Sequence, residues 1–369
     1  MKRAIQAIAL FFITLFIFVS PRTLSGEIKL LEELEFAPKQ DRLLFPRDVC
    51  LTEDGLFLVT DQHAGDVKIY SKDEKTLTLR LVGKIVVGKP GSEKLQYPTY
   101  CFYNPLESRF GVIDYVKREI LLYDRLGKVN FFHMWTIDCP YLADGIQLIG
   151  NELFISGFTL DSRNNGYDLY SIDLESGQTT FLLPSYRKYG LDSPAEYNEK
   201  YMNGVGIRML GISGWFAVQD DFAYFAWEGD LKIIKMDVKS GREVPFERAV
   251  RKHSPYKRPS TSPNFSALLE GYKAKDPEII RREKDKMFFV RHVFTNSKYV
   301  YVVYEGPVNQ RSRFRLQVYN LRGDSVANSP IPGQPGTPMF FDRKCNTLYS
   351  ISKSGKNNYS VLKYEISNK

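Results

Sequence analysis

Cysteine is scarce in this sequence, with four among 369 residues. That excludes a disulfide-rich scaffold, and no two of them have the CxxC spacing of a redox or zinc site. Cys50, Cys101, Cys139 and Cys345 allow three pairings, among which spacing does not choose; buried free thiols are the expected state. Histidine is equally scarce. His63, His133, His253 and His292 show no metal-ligand spacing on a helix, and the chain holds neither HExxH nor GxSxG. Asn203-Gly204-Val205-Gly206 lacks the helix and downstream acid of a dinucleotide site, and Gly88-Lys89-Pro90-Gly91 lacks the Lys-Ser/Thr ending of a phosphate loop. Basic residues form no dense stripe. They gather only at Arg251, Lys252, Lys257 and Arg258 and at Arg311, Arg313 and Arg315, and no nucleic-acid reading module accompanies them, so nucleic acid is not an expected partner.

Aromatic residues, by contrast, are abundant: 23 Tyr and 25 Phe against 3 Trp. Such residues pack well on a pleated surface and favour β-structure. The net charge of +8 is modest, and Lys2, Arg3 and Arg22 carry three of its units within a segment that has no acid. In that segment Lys2-Arg3 precedes an apolar run from Ala4 to Val19, interrupted by Gln6 and Thr14, then Ser20-Pro21 and small residues through Gly26. This is the layout of a secretory signal peptide over residues 1–25, with an uncleaved anchor as the alternative. No Cys follows the run to accept a lipid. The mature chain is therefore expected in the periplasm or outside the cell, with no stable membrane span after cleavage.

One pattern repeats along the rest of the chain. Phe45 to Leu51, Leu56 to Asp61, Asp66 to Tyr70 and Leu79 to Val87 are β-rich runs separated by Gly, Asp or Asn, which is a four-stranded antiparallel meander. Tyr97 to Phe102, Arg109 to Asp114 and Glu119 to Tyr123 repeat it. Later first strands fit at Gly145 to Leu148, Gly214 to Gln219, Met287 to Phe294 and Pro338 to Asp342, with second and third strands following each. Tyr70, Tyr123, Ile172, Met236, Tyr319 and Tyr364 mark six units. A lone four-stranded sheet cannot bury both faces, whereas sheets packed radially can. The expected fold is all-β: a six-bladed β-propeller of four-stranded antiparallel blades spanning residues 27–369. The sixth unit ends after its third strand, and Ile28 to Phe36 is expected to close the last blade. Insertions are expected between blades at 184–211 and 244–286, the second turning helix-like from Ser266, with a helix start at Asp276-Pro277. They would be lids or packing decoration.

The first unit, with Phe45-Pro46, Asp54-Gly55, Val59-Thr60-Asp61 and Asp66-Val67-Lys68-Ile69-Tyr70, resembles an NHL repeat. The second matches it well and the later ones more loosely. The chain as a whole is similar to secreted bacterial six-bladed propellers related to NHL-repeat proteins. That resemblance implies a fold and a binding scaffold rather than a reaction.

In such propellers the loops joining strand four to strand one, and strand two to strand three, share the face on which ligands bind. The pattern puts Arg47, Asp48, His63, Asp144, Arg163, Trp227, Glu228, Glu305 and Arg311 there, a set that suits a polar ligand site and equally a solvated rim. Asp61 and Asp114 hold equivalent repeat positions, which suits a turn-stabilising hydrogen bond. The expected function is that of an exported, monomeric scaffold binding a protein or small polar ligand, with no catalysis and no cofactor. The alternative is an enzyme resembling metal-dependent lactonases, with a divalent cation such as Ca2+ on Asp48, Asp144, Glu305 and Asn203.

Overall fold

The β-rich runs of the repeat form strands in the computed structural model. It describes residues 26–37, 43–85, 95–104, 108–117, 119–123, 134–136, 145–157, 167–184, 214–227, 233–246, 274, 276–285, 289–307, 313–333, 335–336, 338–353 and 358–368. Residues 1–25, where a signal peptide is expected, and most of both expected insertions lie outside these residues. In chain order, β1 is Gly26–Phe36, and β2 to β5 are Pro46–Leu51, Phe57–Asp61, Asp66–Asp73 and Thr78–Ile85. Next come β6 to β9, Pro98–Asn104, Arg109–Asp114, Glu119–Tyr123 and Met134–Thr136, and β10 to β13, Gly145–Ile149, Glu152–Ser156, Tyr167–Asp173 and Thr179–Pro184. Strands β14 to β17 are Gly214–Gln219, Phe222–Trp227, Ile233–Asp237 and Glu243–Val244, followed by helix α1, Pro277–Lys284. Strands β18 to β21 are Phe289–Thr295, Tyr299–Glu305, Phe314–Asn320 and Ser325–Pro330, and β22 to β24 are Met339–Asp342, Thr347–Lys353 and Tyr359–Asn368.

Four sheets are antiparallel meanders of four consecutive strands: β6-β9, β10-β13, β14-β17 and β18-β21. The fifth has eight strands in the order β2-β3-β4-β5-β1-β24-β23-β22. It joins two meander-like halves at a short parallel contact, Glu35 with Thr78 and Phe36 with Leu79. The N-terminal strand β1 thus pairs antiparallel with the C-terminal β24, from Gly26 opposite Asn368 to Glu35 opposite Ser360. Each terminus covers the edge the other would leave open.

Side-chain alternation explains why the sheets stand side by side. Successive residues of a strand point to opposite faces, and here both faces are apolar, so the middle strands are buried along most of their length. On β3, Leu58 enters a cluster shared with Val112 and Leu121 of the next sheet. Its neighbours Phe57 and Val59 enter another with Tyr349, Ile351 and Val361 on the opposite side. Further clusters join β6-β8 to β10-β12, β10-β13 to β14-β16, β14-β16 to β18-β20, and β18-β21 to β22-β24 and β1. The packing therefore runs in a ring that returns on itself. The marker aromatics Tyr70, Tyr123, Tyr319 and Tyr364 are all buried in it.

Three of the described hairpins that join third to fourth strands are built on Asx turns. Asp73, Asp173 and Asp237 each accept hydrogen bonds from the backbone N–H groups two and three residues on, at 2.6–3.2 Å. Those N–H groups hold the three carboxyls below the usual carboxylate range. Helix α1 starts where Asp276-Pro277 predicts: the Asp276 carboxylate accepts from the N–H of Glu278 at 2.9 Å and of Ile279 at 3.1 Å, an N-cap followed by proline at the first helical position. Among the described residues no helix is long and apolar enough to cross a membrane.

Candidate functional site

The first strand of each meander, β2, β6, β10, β14, β18 and β22, faces a common central cavity of about 1220 Å³. Two of these strands, β2 and β6, are held in place by the residue that ends the second strand of their meander. Asp61, fully buried at the end of β3, accepts from the N–H of Leu44 at 2.8 Å and of Phe45 at 2.9 Å, and pairs with the buried Lys68 at 2.8 Å. Asp114 repeats the arrangement on β7, accepting from the N–H groups of Gln96, Tyr97, Val116 and Lys117. Both acids thus tie the approach to an inner strand to the end of its partner, which is the turn-stabilising role their repeat positions suggest.

Held in this way, Arg47 and Asp48 enter the cavity wall from the start of β2. A register shift between Pro46 and Asp48 interrupts the β2-β3 pairing, and shifts recur between Pro98 and Tyr100 on β6 and between Val290 and His292 on β18. Bulges of this kind re-aim side chains near functional sites. The half-buried Asp48 carboxylate accepts from the N–H of Cys101 on the neighbouring β6 at 3.0 Å. Burial pushes its carboxyl up to about 7, against the opposing pull of the Cys101 and Val49 N–H groups and the Arg47 charge. The Arg47 guanidinium lies 6.0 Å from the centre of the Tyr100 ring. His63, in the turn after β3, is exposed and stacks on Phe45 with ring centres 4.7 Å apart. Tyr359 donates to the carbonyl of Leu44 at 3.3 Å. Phe45, His63, Leu44 and Tyr359 all line the same cavity.

Across the ring, the wall carries Trp215, Arg291 and His292. Trp215 meets His292 edge-on at 5.3 Å. The Nδ1 of His292 is buried without a hydrogen-bond partner among the described residues, and burial lowers the imidazole to about 4, so it is neutral at physiological pH. Arg291 pairs with the buried Glu305, which also pairs with Arg313. Glu305 ends β19, the position Asp61 and Asp114 hold on β3 and β7.

The expected site residues therefore divide. Arg47, Asp48 and His63 share the cavity; Glu305 lies behind it and touches it through Arg291. Trp227 ends β15 opposite Gly214. Asp144, Arg163, Glu228 and Arg311 lie outside the described residues, as does Asn203. Of the conceivable metal ligands, Asp48 and Glu305 are described; the first faces the cavity and the second is committed to two arginines. Among the described residues no three His, Cys, Asp or Glu side chains gather in a way that suits a metal ion. Cys50 and Cys101 are buried, as expected, whereas Cys345 is exposed in the turn between β22 and β23 because that turn faces solvent at the end of the channel.

Sequence reasoning missed Trp215, Arg291, His292 and Gln147 because it looked for ligands on loops. The available signal was polar residues interrupting apolar first strands, Gln147 within Gly145–Ile149 and Arg291-His292 within Phe289–Thr295.

No family model matches the chain, and no curated protein matches it significantly. Among solved structures it is similar to a member of the DUF4221 family from Bacteroides vulgatus, at 13% identity over 94% of this chain and 100% of that one, with a TM-score of 0.59. It is also similar to a Bacteroides fragilis protein assigned to export, at 11% identity over 92% and 95% of the two chains, TM-score 0.55. A luciferin-regenerating enzyme matches at 9% identity over 94% and 98%, TM-score 0.51. These are β-propeller-like proteins. The fold is β-propeller-like. At such identities the likeness carries the fold and no activity.

Proposed function

We propose that this chain is an exported six-bladed β-propeller related to NHL-repeat proteins that binds a small polar ligand in its central channel. Six groups of four strands, counting the eight-stranded sheet as two, support the blade number, and the leader at residues 1–25 supports export. The observation that carries the binding role is the cavity of about 1220 Å³ whose wall combines aromatic faces with Arg47, Asp48, Arg291 and His292. A few polar groups set into an apolar, aromatic concave wall is the usual make-up of a ligand pocket. Asp48 and Arg47 would orient a polar group, while Tyr100, Trp215 and the Phe45–His63 stack would cover a ring or apolar body.

The test is a thermal-shift screen of the mature protein with small carboxylates, amines, sugars and aromatic acids, repeated on Asp48→Asn. A binding scaffold gives compounds that raise the melting temperature of the parent and not of the variant, with no turnover. Hydrolysis of cyclic esters by metal-loaded protein would instead support the lactonase-like reading.

A further inference from the structure

Two thiols sit side by side in the channel wall. Cys50 on β2 and Cys101 on β6 occupy equivalent places in successive meanders, belong to one apolar cluster and both line the central cavity. The Cys101 thiol donates at 3.5 Å to the carbonyl of Leu58, the residue paired directly opposite Cys50 across β2 and β3, which brings the two cysteine side chains to the same level of the wall. Three further contacts hold their two strands together at this level: the N–H of Cys101 donates to Asp48 Oδ2 at 3.0 Å, and the Thr60 hydroxyl reaches the carbonyl of Thr99 at 3.1 Å and that of Asp48 at 3.4 Å. Both residues are only 3–4% exposed, so an oxidant reaches them through the cavity rather than from the outer surface.

We propose that Cys50 and Cys101 form a redox-closable pair that, when oxidised, staples β2 to β6 across the boundary between the first two meanders. A disulfide-bearing oxidant, small or a protein of the thiol-oxidase class, is attacked at sulfur by one cysteine thiolate. One thiol leaves, and a mixed disulfide remains. The second cysteine then displaces the other thiol, so one dithiol and one disulfide become one protein disulfide and two thiols, with electrons and hydrogens balanced. Burial pushes the Cys101 thiol up, which keeps thiolate scarce at neutral pH and makes closure slow. The same burial shields the closed bond from reductants. The oxidising compartment rests on the proposed export; the juxtaposition of the two thiols does not. Closure would fix the wall that carries Asp48 and, by restraining the unfolded chain between the two positions, raise stability.

The experiment treats the purified mature protein with oxidised glutathione, then maps thiols by alkylation under denaturing conditions and digestion without reductant. The expected result is a peptide linking Cys50 to Cys101 and an apparent melting temperature several degrees higher than after reduction, with the difference absent in Cys101→Ser. A Cys139→Ser/Cys345→Ser chain, which leaves only the proposed pair, should close as the parent does. If either cysteine position is not tolerated, mapping of the parent alone still decides. Four alkylated cysteines after prolonged oxidation, or a link joining a different pair, would overturn the proposal. If closure occurs while no small compound binds the channel, the staple stands and the ligand-binding reading fails.

Discussion

Arg343 Nη2 donates to the backbone carbonyl of Val218 at 2.8 Å, joining the turn after β22 to β14 over the intervening β18. The same carbonyl accepts from Gln147 Nε2 at 2.8 Å, and Gln147 Oε1 accepts from the N–H of Val218 at 2.8 Å. Three meanders thus converge on one residue at the end of the channel opposite His63. The Arg343 side chain is exposed as a whole, and partial desolvation of its guanidinium lowers it to about 10, against the opposing charge of Asp220.

Arg343→Ala should therefore destabilise the fold by about 1–2 kcal/mol, the net worth of a hydrogen bond from a charged donor. Arg343→Lys should recover only part, because a point charge lacks the planar fork. Urea denaturation of the three proteins measures this, and equal midpoints would show that the tie carries no stability.

Asp48 should give the protein a pH dependence of recognisable sign. Its carboxyl is raised from the usual carboxylate range to about 7 on folding, so the folded state binds a proton that the unfolded state has released. The contribution to stability is complete below about pH 4 and is lost as pH rises through about 7. Asp48→Asn, which cannot ionise, should flatten that part of the stability profile. Parallel denaturation series for parent and variant would expose a mistaken assignment if the two profiles ran together.

Removing the charge of Asp61 should cost far more than removing a surface carboxylate. Lys68 is 1% exposed, its ammonium 2.8 Å from Asp61 and 3.7 Å from Asp66. Asp61→Asn leaves that cation with its longer contact, and breaking a buried pair in this way costs about 3 kcal/mol or more. Adding Lys68→Met should restore a good part of the loss. A single variant as stable as the parent would contradict the structural role given to the end of β3.

Gly111 on β7 faces Phe102 of β6 in register. A Cβ built at Gly111 would lie 2.0 Å from the Phe102 ring, and one built at Gly214 would lie 2.0 Å from the ring of Phe225, which is offset from it by two residues on β15. Gly111→Ala should cost about 1–3 kcal/mol through overpacking, and a second change, Phe102→Leu, should relieve it. Failure of the second change to help would mean that the cost lies in the backbone rather than in the ring.

Much of this architecture is legible in the chain because its cause is local. Strands whose two faces are both apolar, as Leu58 and Val59 show, must have a neighbour on each side, and an incomplete last repeat asks for the strand that β1 supplies. Arg47, Asp48 and His63 are legible for the same reason: they stand at the ends of strands, where the repeat itself marks the turn. Trp215 is not, because within its own strand it reads as an ordinary pleated residue, and Arg291-His292 shows only as a polar interruption of an apolar strand, which does not say what that strand faces. Only when the ring has closed does a first strand become the wall of a channel, and that depends on contacts between residues far apart in sequence. Glu305 shows the converse: a residue at the right repeat position can spend its charge on Arg291 and Arg313 and leave nothing for a ligand.

The most direct measurement is calorimetric titration of the best-stabilising compound from the screen into the parent, Asp48→Asn and Gly145→Leu. Gly145 lines the cavity, and a Cβ there would meet Ser156 Oγ at 3.5 Å and the Trp215 ring at 3.6 Å, ordinary contact distances, so a leucine crowds the channel wall beside Trp215. The account predicts that both variants fold and that each weakens binding by roughly tenfold or more. Unchanged affinity in Gly145→Leu would place the ligand elsewhere and contradict a binding site in the channel.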